Sequence, residues 1–221
     1  MQDEALDIFD EKQNPLGVAG KAQAHRLGLW HYAFHCWLYR VVDAGTDVRL
    51  LFQQRGPDKA LYPGLFDISA AGHYRAGEAV ADGVREVEEE LGVEIPFGDL
   101  VELGTRAEVF ETGNIISREF CRTFLGRTAL DPAAFRPAEP EVTALVEVPV
   151  ADGLAMVAGT WPAARCSGVR HWAGRWHQYE SELSLRDLVP RPAAYYLDIF
   201  RHVEQASGGL RERADQPPPA Q

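Results

Sequence analysis

Cysteine, lysine and long apolar runs are all scarce in this chain of 221 residues, and each scarcity removes a class of protein. The three cysteines, Cys36, Cys121 and Cys166, have no metal-finger spacing and are too few for a disulfide scaffold. Their odd number predicts reduced thiols, and Cys36 and Cys121 lie in apolar strand-like runs, where a core role is expected. Lysine occurs only at 12, 21 and 59, and the net charge is −11. A strongly acidic chain is a poor partner for duplex nucleic acid, whose phosphates need clustered Lys and Arg. It does not exclude a small phosphate substrate, because a bound cation and a few arginines reverse the sign locally. No apolar run reaches the length of a membrane span, so no membrane partner is expected. The opening Met1-Gln-Asp-Glu-Ala-Leu6 lacks the basic and apolar regions of a secretory signal, and a cytoplasmic location is expected. No internal repeat is present.

What the chain does have is an unusual acidic helix. Glu86, Glu89 and Glu90 stand at i, i+3 and i+4, on one face of an α-helix, where like charges repel. A divalent cation removes that penalty. Clustered carboxylate oxygens suit Mg²⁺ or Mn²⁺, which also bind substrate phosphates. A bare E-x-x-E-E run is more often a solvated acidic face. Here a glycine-rich entry from Gly72 and a glycine exit at Gly92, where a left-handed C-cap is expected, favour the functional reading.

The pattern predicts strands over 6–9, 30–42, 48–54, 65–70, 100–110, 115–125 and 142–150. It predicts a helical turn at 21–26 and helices over about 79–91, 151–158 and 192–205. The last carries an apolar stripe of Tyr196, Ile199, Phe200 and Val203. Turns are expected at Asn14–Gly17, Asp43–Asp47 and Thr112–Asn114, and a linker at Asp131–Pro140. A small hairpin is expected over 169–180. Gly83 is expected to weaken the acidic helix by about 1 kcal/mol. One domain is expected over residues 1–206, with an extension from about 160, followed by a disordered Pro-rich tail over 207–221.

The segments Gly72–Glu78 and Arg85–Val93 resemble the signature of the Nudix hydrolase family, G-x5-E-x7-R-E-U-x-E-E-x-G-U, with U aliphatic. The fit has one departure. Six residues, Ala79 to Val84, separate Glu78 from Arg85, where the family has seven. A deletion in a loop leaves the carboxylates intact, whereas one inside the helix rotates Glu78 by about a quarter turn. The resemblance implies an α/β fold of the Nudix type, an α-β-α sandwich around a mixed sheet. It implies metal ligation by Glu86, Glu89, Glu90 and the carbonyl of Ala71. It further implies catalytic roles for Arg85 and for Glu89 or Glu119, and substrate contacts from Gly72 and Glu78. Arg55, in the loop after a return strand, is a candidate phosphate grip, with a solvated loop arginine the equal alternative. The cofactor implied is Mg²⁺ or Mn²⁺ and the partner a small-molecule diphosphate. A homodimer is the assembly to test, since dimers are frequent in proteins of this kind.

Two further segments, Trp30–Leu38 and Pro63–His73, are similar to the branch of the family close to isopentenyl-diphosphate isomerase. That branch implies a second metal site for a transition-metal ion from His25, His31, His73 and Glu119, with Ser117 where the branch has another glutamate. His35 shares a strand face with His31 and is left unassigned. The isomerase needs a cysteine just before the Gly-His pair, and this chain has Ala71, whose methyl group moves no proton. Hydrolysis of a nucleoside-type or other organic diphosphate is therefore the leading reading. An isomerase-like enzyme and a non-catalytic ligand-binding protein are the alternatives. Trp30, Trp37, Phe66 and Phe110 are read as core more readily than as a stacking surface.

Overall fold

The computed structural model describes residues 3–43 and 47–214. Residues 44–46 of the expected Asp43–Asp47 loop lie outside the described residues. In chain order the elements are β1 (Ala5–Phe9), β2 (Pro15–Gly20), α1 (Lys21–Leu27), β3 (Trp30–Val42), β4 (Asp47–Arg55), β5 (Phe66–Asp67) and β6 (Ala70–His73). Then come α2 (Arg85–Leu91), β7 (Val101–Thr112), β8 (Ile115–Thr128), β9 (Val142–Pro149), α3 (Val150–Val157), β10 (Ala164–Trp172), β11 (Arg175–Leu183) and α4 (Ala193–Ala214).

These elements fall into two compact units whose segments alternate along the chain, so no single cut separates them. The first unit contains residues through Trp37, Ile68–Gly126 and Arg136–Ala138. In it β1 pairs antiparallel with β2 and β3, β6 with β3, and β7 with β8, while β8 also pairs β3. Helix α2 packs on β6. Phe34 and Phe124 stack at 5.2 Å in the core, with Val87 and Leu91 of α2 fully buried. The second unit orders its strands β11-β10-β9-β4-β3, with β5 on β4, and packs α3 and α4 against β4. Every pairing with a described register is antiparallel, and an isolated Phe66–Leu188 bridge adds a parallel contact.

The α/β class matches the expectation, and the differences have local causes. Pro15–Gly20 forms β2 by pairing antiparallel with β1, where a turn was expected over Asn14–Gly17; the strand is short, glycine-rich and mostly exposed. The expected strand over 65–70 is split into β5 and β6. The apolar stripe of the last helix is buried as its spacing predicted, with Tyr196, Ile199, Phe200 and Val203 all in the core. That helix runs to Ala214, past the expected start of the tail at 207, and 215–221 lie outside the described residues.

Candidate active site

All the residues of the acidic motif lie in the first unit, on β6, on the loop after it and on α2. The expected 79–91 helix is two pieces: a 3₁₀ turn over Val80–Val84 and then α2. A 3₁₀ turn takes three residues rather than 3.6, so it spans a turn with a shorter segment. The six residues before Arg85 are thus mostly this tight turn. Glu78 lies against Arg85, whose Nε donates to its Oε1 at 2.7 Å and Nη2 to its Oε2 at 3.1 Å. Gly83 sits in the 3₁₀ turn, where a Cβ would press on Phe34 and Tyr74 at 2.7 Å. Gly92 has φ +67 and ends α2 as a left-handed C-cap, as expected.

The carboxylates do not form one solvated face. Glu86 and Glu90 are buried, and Glu89 is about half exposed. The bland reading of an open acidic surface is thereby corrected: α2 presses two of its three acids against β6. Gly72 is what admits Glu86, because a Cβ there would overlap its carboxylate. Glu90 Oε2 accepts the Ala71 N–H at 3.0 Å, which fixes the backbone of Ala71 beside the acids.

Arg85 holds the group together. Its Nη1 donates to Glu86 at 2.5 Å and to Glu89 at 3.1 Å, and Nη2 reaches the carbonyl of His73 at 2.8 Å. Arg75, which the sequence did not single out, donates to both oxygens of Glu89 at 3.0 and 3.2 Å. Even so, Glu86 is pushed up to about 7. Burial is the main cause, and the charges of Glu90 and Glu89 add to it against the pull of Arg85. Glu78 moves the other way: burial raises it, but the hydrogen bonds from Arg85 and from the Arg75 N–H, with the charges of both arginines, together outweigh that. A buried carboxylate half-protonated at neutral pH among other acids is a donor set short of positive charge, and it fits a divalent cation.

The histidine set assembles as the resemblance implied. His25 comes from α1, His31 from β3, His73 from β6 and Glu119 from β8, with one donor atom from each within 4.8 Å of the others. The three rings are 5.0–5.4 Å apart. His31 Nδ1 is tied to the carbonyl of Leu29 at 2.8 Å, and its Nε2 is buried with no hydrogen-bond partner among the described residues. Burial, helped by His73, lowers His25 and His31 to about 4, so both offer neutral lone pairs at pH 7. Glu119 is held well below the usual carboxylate range. Burial alone would raise it, but His73 at 3.5 Å and the Ser117 hydroxyl at 2.5 Å prevail. The neutral imidazoles of His25 and His31 beside an anionic carboxylate fit Mn²⁺, Zn²⁺ or Fe²⁺.

Arg55 belongs to the second unit. It donates to Asp67 and to the carbonyl of Leu61, both at 2.9 Å, and Asp67 also takes Arg191 at 2.6 Å. Trp37, Phe66 and Phe110 are buried, and Trp30 stacks on Phe120 at 4.6 Å. The aromatic surface instead comes from residues the sequence reading passed over. A cavity of about 240 Å³ beside Glu78 is lined by Phe9, Tyr32, Tyr74 and Arg122, with Arg122 4.5 Å over the Tyr32 ring. Only the tertiary structure brings these scattered positions together.

The acidic helix, its arginine clamp and the glycine-bearing strand lie within residues 31–165, which match the model of the NUDIX domain. The chain belongs to the Nudix family. It is 33% identical over 202 residues to an uncharacterised Nudix hydrolase of Clostridium acetobutylicum, covering 91% of this chain and 97% of that one. It is 34% identical over 148 residues to the isopentenyl-diphosphate Delta-isomerase of Mycolicibacterium vanbaalenii, covering 66% of this chain and 77% of that one. Among solved structures, a MutT/nudix family protein from Enterococcus faecalis superposes with a TM-score of 0.52 at 11% identity, covering 79% of this chain and 62% of that one. A protein from Deinococcus radiodurans does so at 0.50 and 23%, covering 71% and 90%. These last two likenesses show the fold.

Proposed function

We propose that the protein is a metal-dependent hydrolase that cleaves the diphosphate linkage of an organic diphosphate. The observation that carries this is the buried Glu86–Glu90 pair, fitted against Gly72 and completed by Glu89 and Arg85. Glu86, Glu89, Glu90 and the carbonyl of Ala71 would hold Mg²⁺ or Mn²⁺, which when bound neutralises diphosphate charge and lowers the pKa of water. Glu89 is the acid of the triplet open to solvent, so it takes the proton of the attacking water. Glu119, deep in the histidine set and strongly anionic, is the poorer base and the better ligand. Arg85 and Arg75 orient Glu89. The cavity of Phe9, Tyr32, Tyr74 and Arg122 receives the organic moiety, with aromatic faces for a flat or apolar group.

The test is a screen of nucleoside, cofactor and prenyl diphosphates with Mg²⁺ or Mn²⁺, following phosphate or monophosphate release. Glu89→Gln is expected to lower kcat by about 10²–10⁴-fold with the circular dichroism spectrum unchanged. An unaltered kcat removes Glu89 as the base. No release from any compound removes the hydrolytic reading.

The histidine set favours a second reading, an isomerase-like activity on isopentenyl diphosphate. Against it stand Ala71 and the burial of the thiols; burial pushes Cys36 up to about 12. Dimethylallyl diphosphate formed without phosphate release would establish that activity.

A further inference from the structure

Glu119 stands between two groups of side chains with metal-ligand chemistry, both distinct from the acidic triplet of α2. Its Oε1 faces His73 and Ser117 in the histidine set. Its Oε2 accepts from Cys121 Sγ at 3.7 Å. Cys121 is in turn one corner of a second group, in which His35, Glu108 and Cys121 each bring a donor atom within 4.8 Å of the other two.

The strands explain why the two groups adjoin. His35 follows His31 by four residues on β3, and Cys121 follows Glu119 by two on β8, so each pair shares a strand face. Strands β3 and β8 are paired. Glu108 stands opposite Glu119 across the β7–β8 ladder. Each ligand of the histidine set on these strands thus has a second donor on the same face. His35 and Cys121 are buried in the core of the first unit, where apolar residues would pack without the cost of desolvating polar atoms.

We propose that His35, Glu108 and Cys121 bind a second metal ion, joined to the ion of the histidine set through Glu119 as a bridging carboxylate. Imidazole, carboxylate and thiolate together are the donor set of Zn²⁺. Donors on a tetrahedral zinc, with Zn–S and Zn–N bonds of about 2.3 and 2.1 Å, stand about 3.5 Å apart, so binding draws these donor atoms inward by up to about 1 Å. Binding removes the thiol proton, which leaves to solvent, and the sulfur that donated to Glu119 becomes a ligand beside it. The bridging role of Glu119 rests on the histidine set holding an ion. The Cys121 ion does not.

The test uses the full chain, stripped with a chelator, reloaded with Co²⁺ without oxygen and desalted. The wild type is expected to show a thiolate-to-cobalt charge-transfer band in the near ultraviolet. X-ray absorption is expected to give a sulfur scatterer in the first shell of the cobalt. Cys121→Ser should abolish the band and lower the retained cobalt by one ion per chain. His25→Ala should also lose one ion but keep the band, and Cys36→Ser should change neither. Absence of the band and of sulfur scattering in the wild type overturns the proposal without recourse to any variant. So does a band that survives Cys121→Ser. These readouts involve no diphosphate, so failure of the hydrolytic reading leaves them unaffected.

Discussion

At the scale of single residues, the site depends on groups whose roles are opposite to their usual ones. Gly72 looks in sequence like part of a flexible entry, but its use is steric: the Glu86 carboxylate occupies the place of its side chain. Gly72→Ala is expected to destabilise the protein by about 1–3 kcal/mol and to weaken Mn²⁺ binding, checked by thermal melts and by calorimetric titration. Glu86 gives a pH dependence whose sign follows from its environment. Its folded pKa, about 7, lies above the ordinary 4.5. The fold therefore holds the proton more tightly than the unfolded chain does. This contribution is complete below about pH 4.5 and lost as pH rises through 7. A cation replaces the proton, so the rise in Tm on adding Mn²⁺ should be larger at pH 8 than at pH 6, and Glu86→Gln should flatten that difference. A Mn²⁺ effect equal at both pH values would count against Glu86 as a ligand. The identities of these acids were legible in the sequence. Their burial was not, since the i, i+3, i+4 spacing places side chains on one face without saying what that face meets.

At the scale of elements, the decisive segment is the junction between the 3₁₀ turn and α2. The sequence showed that one residue was missing before Arg85 but not where the loss would be taken up. In the structure that segment is the tight turn over Val80–Val84, and Glu78 lies against Arg85. Gly83 makes the difference measurable. On propensity alone, Gly83→Ala would stabilise a helix by about 1 kcal/mol. Packed against Phe34 and Tyr74 the same change is expected to cost about 1–3 kcal/mol, read from the urea midpoint. A gain in stability would show that the turn is not held against those rings. Strand β3 carries the same lesson. Its run of aromatic and β-branched residues predicted a strand, and burial from Ala33 to Tyr39 is why no alternation marks its inner face. His31 and His35 are therefore core positions, which their sequence neighbours alone did not establish.

At the scale of the whole molecule, ligand sets drawn from distant segments should link metal binding to folding. Mn²⁺ at a hundred times its dissociation constant should add about 2.7 kcal/mol to the stability of the chelator-stripped protein, followed by denaturant melts at fixed metal. Because His25 and His31 stay neutral down to about 4, the ion at the histidine set should be retained at pH 5.5, where an ordinary histidine with a pKa of about 6.5 would be mostly protonated. Loss of that ion as pH falls through 6.5 would refute the buried neutral imidazoles. The sequence by itself determined the acidic triplet, its glycine frame and the longer strands and helices, because these depend on local spacing and backbone freedom. Only the tertiary structure decided which acids are buried, that Arg75 joins Arg85 on Glu89, and that Glu119 touches both the histidines and Cys121. Those facts depend on strand register and desolvation, which bring together residues far apart in the chain.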